Sequence, residues 1–256
     1  MTKKEIKRLY REEKNKARSN YRNHLADAEE LYHDRLEEYY KSQGKKPPID
    51  PPKRPLLEEI GNAITHGVGA VFALVALVLM LISSDSPIEV VSSVIYFFGM
   101  FVMFMSSCLY HAFVYGSGVK RLFHRFDYSS IYLLIGATFA PILLCYFGDL
   151  FGFVFFAIQW GIIACGISLV GVFGPKKLNF VHIPLYVLLG WSALMLLPRM
   201  VVNDFPMAMW ILAGGILYTV GIIPLLLNKS VSHFIWHFFV LAGAVVQWIG
   251  IYVYLF

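Results

Sequence analysis

V-V-S-S-V-I-Y-F-F-G-M-F-V-M-F-M-S-S-C-L-Y-H-A-F-V (Val90–Val114) runs for 25 residues without Asp, Glu, Lys or Arg. About 20 residues of helix cross the hydrocarbon of a bilayer, so this run is long enough. It lacks the alternation of a barrel strand. Six further runs share its character: Ala63–Ile82, Tyr128–Phe147, Leu150–Phe173, Leu178–Pro198, Phe205–Leu227 and Val231–Phe256. Backbone that crosses lipid must satisfy its own hydrogen bonds, so the runs read as seven transmembrane helices of an all-α polytopic membrane protein. Composition agrees: of 256 residues 57% are hydrophobic and 15% charged, against about 25% charged in soluble domains.

Basic residues set the expected orientation. With the N-terminus cytoplasmic, the inner loops carry Lys120, Arg121, Arg125, Lys176, Lys177 and Lys229, and the outer loops only Arg199. That places the C-terminus outside, the reverse of G-protein-coupled receptors. The first 55 residues hold no apolar signal-peptide core. Cys108, Cys145 and Cys165 all fall within the apolar runs, so no disulfide framework is expected. Pro141, Pro184 and Pro224 are candidate kinks, but midplane charges of a transport pathway are missing.

Ahead of the runs lies a charged tail, residues 1–43. Residues 1–22 hold nine Lys/Arg against three Glu, and residues 23–42 six acidic against two basic. Tyr10, Ala17, Tyr21, Leu25, Ala28, Tyr32, Leu36 and Tyr39 recur mainly at three- and four-residue steps, a thin stripe of helical period. Residues 44–57, with G-K-K-P-P-I-D-P-P-K-R-P (Gly44–Pro55), read as a stiff linker to a membrane domain over 58–256. Interleaved acids argue against nucleic acid as a partner. The tail reads first as a solvated helix with a thin contact stripe; the sharper alternative sets its basic half on anionic headgroups, and membrane lipids are the expected contact of the domain.

The histidines carry the chemistry. His24 and His33 lie in the tail; His124 falls in an inner loop and His182 near the inner end of the fifth run, as interface residues. With the orientation above, His111 lies one turn from the inner end of the second run, and His233 and His237 open the seventh. Asp127 sits at the same boundary, so four groups from three helices share a layer about 10 Å deep. His233 and His237 at i and i+4 face one way, as two ligands of one ion must. A third imidazole gives the donor set of catalytic zinc, although copper or nickel would bind it as well. A nearby carboxylate can deprotonate water there, and Ser107, one turn before His111, can stabilise an oxyanion.

E-E-I-G-N-A-I-T-H-G-V-G-A (Glu58–Ala70), S-S-C-L-Y-H (Ser106–His111), F-D-Y-S-S-I-Y-L-L-I-G-A-T-F-A-P (Phe126–Pro141) and S-H-F-I-W-H (Ser232–His237) occur in that order. They resemble the haemolysin III branch of the progestin and adipoQ receptor family, within the CREST superfamily of membrane hydrolases. The resemblance runs from Glu58 to the C-terminus and leaves out the tail. It implies a zinc site near the cytoplasmic face held by His111, His233 and His237, with Asp127 on its water and Ser107 in the position linked to lipid amide hydrolysis in alkaline ceramidases. Glu59 and Asn62 match the acidic and amide positions before the first helix. Thr65 and His66 belong to the same motif, with packing or interhelical hydrogen bonding as their expected role. Tyr128 and Gln247 stand where many relatives have histidine.

These readings converge on a zinc-dependent hydrolase of a lipid amide or ester bond in a bacterial inner membrane. The alternative is a non-enzymatic sensor or homeostasis factor for membrane state, with zinc as a clamp. Cytolysis ranks below both, because aromatic-rich, uncharged spans suit a resident bundle more than a secreted pore-former.

Overall fold

The computed structural model describes residues 3–46, 49–227 and 231–256. Pro47 and Pro48 of the linker and Lys229 of the last inner loop lie outside the described residues, as do the side chains of Leu25 and His33. The chain divides between Ile49 and Asp50 into two compact units. The first holds one 40-residue helix, α1 (Lys3–Ser42), on which Leu9, Tyr10, Tyr21, Leu31, Tyr32 and Tyr39 are exposed.

The second unit is all helix among the described residues: α2 (Leu56–Ser83), α3 (Pro87–Ala112), α4 (Gly118–Pro141), α5 (Leu150–Phe173), α6 (Asn179–Trp191), α7 (Leu197–Asn203), α8 (Phe205–Leu227) and α9 (Ser232–Leu255). Among the described residues six spans are long and apolar enough to cross a membrane, and the bent pair α6–α7, taken as one span, brings the number to seven. That pair bends by 41° where Ser192–Met195 tightens to a 3-10 turn before Pro198 in the first turn of α7. The fifth run is therefore broken into two helices.

Local chemistry sets the ends. Ser86 and Glu89 close a capping box ahead of α3, with Pro87 in its first turn. Ser117 accepts from Lys120 N at the start of α4. Pro141 removes a backbone donor, and α4 continues as a π-turn (Ile142–Phe147) ending at Gly148, φ +55. Asp149 then caps α5 by accepting from Gly152 N.

Two boundaries depart from the sequence reading. Helix α2 starts with Glu58 and Glu59 already inside it, and α4 starts near Gly118, ten residues before the apolar run. Lys120, His124 and Asp127 are thus helical, and His124 is buried under Tyr110 and Tyr128 instead of lying in a loop at the interface. Their i, i+4, i+7 spacing turns them to one face, which packs inward. His182 is likewise fully buried, its Nδ1 2.9 Å from the Tyr132 hydroxyl.

Burial ranks the helices. Two thirds (67%) of the apolar stretch of α4 is buried, against 22% for α5 and 17% for α8, so α4 is central and the latter two turn most of their surface to lipid. The main core gathers Tyr96, Met100, Met103 and Phe104 with Ala137, Leu143 and Val240. Small residues permit the closest crossings: a Cβ on Gly99 would lie 2.2 Å from that of Ala137, and one on Gly250 2.3 Å from that of Trp210.

At the bundle end opposite the histidines, Arg199 Nη2 lies 3.0 Å from Asp149 Oδ2. The Gly152 N–H, then Arg199, hold the Asp149 carboxyl below its ordinary value. A depressed folded-state value stabilises at neutral pH and stops doing so as pH falls through the carboxylate range. Asp149→Asn, which keeps the cap, is therefore expected to lower the thermal midpoint slightly at pH 7, with the gap to wild type closing below about pH 3.

Candidate metal centre

Two helices, α3 and α9, bring His111, His233 and His237 together. One ring nitrogen from each lies within 4.8 Å of the other two; His111 and His237 are buried and His233 is half-buried. His233 and His237 stand one turn apart on α9, their Nε2 atoms 3.2 Å from each other. Two imidazoles bound to one tetrahedral zinc at about 2.05 Å would have nitrogens roughly 3.3 Å apart, so this spacing fits a shared ion. His111 comes from the last turn of α3, with its ring centroid 4.8 Å from that of His237.

Side chains of α2 fix the His111 ring. Glu59 Oε2 takes its Nδ1 and Asn62 Nδ2 lies 3.4 Å from the same atom, leaving His111 Nε2 buried and without a partner. A carboxylate behind a ligating histidine sets its tautomer and aims the other nitrogen at the ion. A buried bare acceptor costs about 1–3 kcal/mol, which a cation would relieve. Among the described residues the donor group contains no fourth protein ligand.

The same turn of α2 carries a device that sequence reasoning missed. Glu59 Oε1 pairs with Lys120 Nζ at 3.0 Å, and Lys120 also donates to the carbonyls of Tyr110 (2.9 Å) and Phe113 (3.0 Å) at the end of α3. Lys120 is 1% exposed. Its neighbour Glu58 accepts from Val231 N at 3.3 Å and from Arg54 Nη1 at 3.2 Å. Val231, at φ 68, is the residue from which α9 springs. Two adjacent glutamates thus tie down both helices that carry the histidines. The signals were available in the Arg54–Glu58 i, i+4 spacing and the shared face of Lys120, His124 and Asp127.

The remaining motif residues separate by role. His66 stacks on His237 with centroids 3.7 Å apart, yet stands outside the donor group. Thr65 Oγ1 donates to the Gly61 carbonyl within its own helix and does not enter the site. Ser107 is buried; its hydroxyl lies beside the Asp127 carboxylate without closing a well-formed hydrogen bond. Asp127 is not one of the three-histidine donor set. It lines, with His233, one end of a largely apolar cavity of about 190 Å³ bounded by α4, α6, α8 and α9. The far end is lined by Ile142, Leu197 and Gln247, so the cavity follows some 15 residues of α4 from Asp127, about 22 Å.

Comparison with known proteins places this architecture. A family model described as Haemolysin-III related matches residues 55–248. Hemolysin-3 of Bacillus cereus is 34% identical over 205 residues, 77% of this chain and 91% of that protein. The Hemolysin-3 homolog of Bacillus subtilis (strain 168) is 33% identical over 192 residues, 73% and 89% of the respective chains. The human monocyte to macrophage differentiation factor is 28% identical over 206 residues, 78% of this chain and 85% of that one. A bundle of membrane-spanning helices, matched over three quarters of its length, makes this chain a multi-pass membrane protein of the haemolysin-III-related family.

Proposed function

We propose that the chain is a zinc-dependent hydrolase of a lipid amide or ester bond, with the site near the cytoplasmic face and the N-terminus inside. The observation that carries this reading is the union of a three-imidazole donor group with a carboxylate, Asp127, that lines a largely apolar cavity together with His233. The orientation rests on Lys120, Arg121, Arg125, Lys176 and Lys177 gathering at the histidine end of the spans.

Zinc bound by His111, His233 and His237 would polarise the scissile carbonyl and acidify water. The chain's own residues supply the rest. Asp127 stands outside the donor set and within reach of the cavity, where it can orient a water and accept its proton as the carbonyl is attacked. Ser107, with a hydroxyl committed to no other acceptor, donates to the oxyanion that develops. Glu59, braced by Lys120, keeps the His111 ring aimed. The cavity takes the apolar chain and positions the polar bond at its Asp127 end. Access from the lipid side suits a substrate whose polar group sits at headgroup depth.

The test is lipid turnover by purified protein with zinc. Asp127→Ala is expected to lower kcat by about 10²–10⁴-fold, the usual worth of a general base. Ser107→Ala is expected to lose less. Turnover unchanged in both Asp127→Ala and His237→Ala protein would assign the activity to something other than this site.

A further inference from the structure

The tail lies outside the family match, which begins at residue 55. Helix α1 spans about 60 Å, and a helix polar on nearly all sides gains little by itself in water. Six of the eight residues of its stripe, Leu25 and Leu36 aside, are arranged with a symmetry that points to a partner. Tyr10, Ala17, Tyr21, Ala28, Tyr32 and Tyr39 are all exposed, and at 100° per residue they fall in an arc of roughly 60°.

Taken from the outside inwards they form the pairs Tyr10 with Tyr39, Ala17 with Tyr32, and Tyr21 with Ala28. Every pair is centred on the same point, midway between positions 24 and 25. A stripe with that property matches itself when reversed. Laid against an antiparallel copy, Tyr21 and Tyr32 of one helix meet Ala28 and Ala17 of the other, large against small. Charge follows the same symmetry: residues 1–22 carry nine basic and three acidic groups, net +6, and residues 23–42 two basic and six acidic, net −4. Antiparallel pairing sets halves of opposite net charge together, with Arg11 opposite Glu38 while Arg8 meets Lys41 and Glu12 meets Glu37; parallel pairing sets halves of like net charge together. Lys14 and Arg35 stand on the two edges of the same arc and oppose each other about the same centre, where long stems can carry both charges outward; Lys14 Nζ already sits 5.8 Å from the centroid of the Tyr10 ring.

We propose that residues 3–42 are a self-association module, pairing antiparallel with the same helix of a second copy about a twofold axis. The interface is built from the tyrosine–alanine stripe, and its direction is set by the charge reversal at mid-helix. The expected occupant is a second copy of this chain, since the pattern's own complement is the pattern reversed.

The test uses the full chain in nanodiscs of neutral lipid, with Cys108, Cys145 and Cys165 replaced by alanine. Single spin labels are placed at Asn23→Cys or Ser42→Cys, and intermolecular distances are measured. Antiparallel pairing predicts about 25 Å or less at position 23 and about 50 Å at position 42, which lies opposite position 7. Short distances at both positions would mean parallel pairing and overturn the proposal. So would the lack of any intermolecular distance, or a tail that orders only on anionic vesicles, which would make it a headgroup-binding helix. Arg11→Glu with Arg18→Glu is expected to raise the dimer Kd about tenfold at low salt, and adding Glu30→Lys and Glu38→Lys to restore it. Charge variants with no effect on Kd would also overturn it.

Discussion

His237→Ala protein, purified beside wild type, is expected to hold less than about a tenth of the zinc that wild type holds at about one ion per chain. His237 lies at the centre of the group: its Nε2 faces that of His233 at 3.2 Å, and its ring is 4.8 Å from that of His111. Two imidazoles alone leave half of a tetrahedral shell to water, and a buried site with so few donors holds zinc weakly. His66→Ala is the informative control. His66 touches the site by stacking on His237 but contributes no donor to the group, so its loss is expected to cost packing and thermal stability while metal content stays near one per chain. Metal analysis by mass spectrometry reads both variants. Equal zinc in wild type and His237→Ala protein would move the ion to another place in the chain and remove the basis of the hydrolase reading.

Much of this architecture was legible in the sequence because the membrane makes its demands in one dimension. Six of the seven uncharged runs coincide with helices long and apolar enough to be spans, and the seventh run is the bent pair α6–α7. Loop charge and helical rise then brought His111, His233 and His237 to one depth, and the folded bundle turns the three rings toward each other. The limits of the helices were harder to read. The uncharged runs begin only after Glu59 and Asp127, yet α2 and α4 extend back through Glu58, Glu59, Lys120 and Asp127, and Glu58, Glu59 and Lys120 pair within the protein. Composition marks where lipid begins, while pairing decides where helix begins. The break in the fifth span hides for a related reason. Pro184 is accommodated within α6, and the chain bends instead at Ser192–Met195, ahead of Pro198. Long-range contacts, not the local sequence, select between those positions. His124 and His182 were misplaced as interface residues because a single sequence does not say which face of α4 or α6 meets a neighbour.

The second large effect is expected at Lys120, which no motif marked. All three donors of its ammonium are spent: one on Glu59 Oε1 at 3.0 Å and two on the Tyr110 and Phe113 carbonyls that α3 leaves open at its end. Lys120→Met keeps the stem and removes the charge. It leaves a carboxylate without its cation and two carbonyls without donors, in a place closed to water. Breaking one side of such a buried pair costs about 3–5 kcal/mol, to be read as a lower thermal midpoint and easier unfolding in denaturing detergent. Adding Glu59→Gln removes the stranded charge, so the double variant should be more stable than the sum of the two single losses by about 1–3 kcal/mol. The metal gives the decisive reading. If Lys120 holds Glu59 against His111, Lys120→Met weakens zinc binding about 10–100-fold, as losses behind a ligating histidine do, and a competing chelator titration measures it. If Lys120 only fastens α4 to the end of α3, stability falls and zinc affinity does not. The Glu59 carboxylate is shared by the ammonium on one oxygen and the imidazole on the other, and that bridge makes the first outcome the expected one.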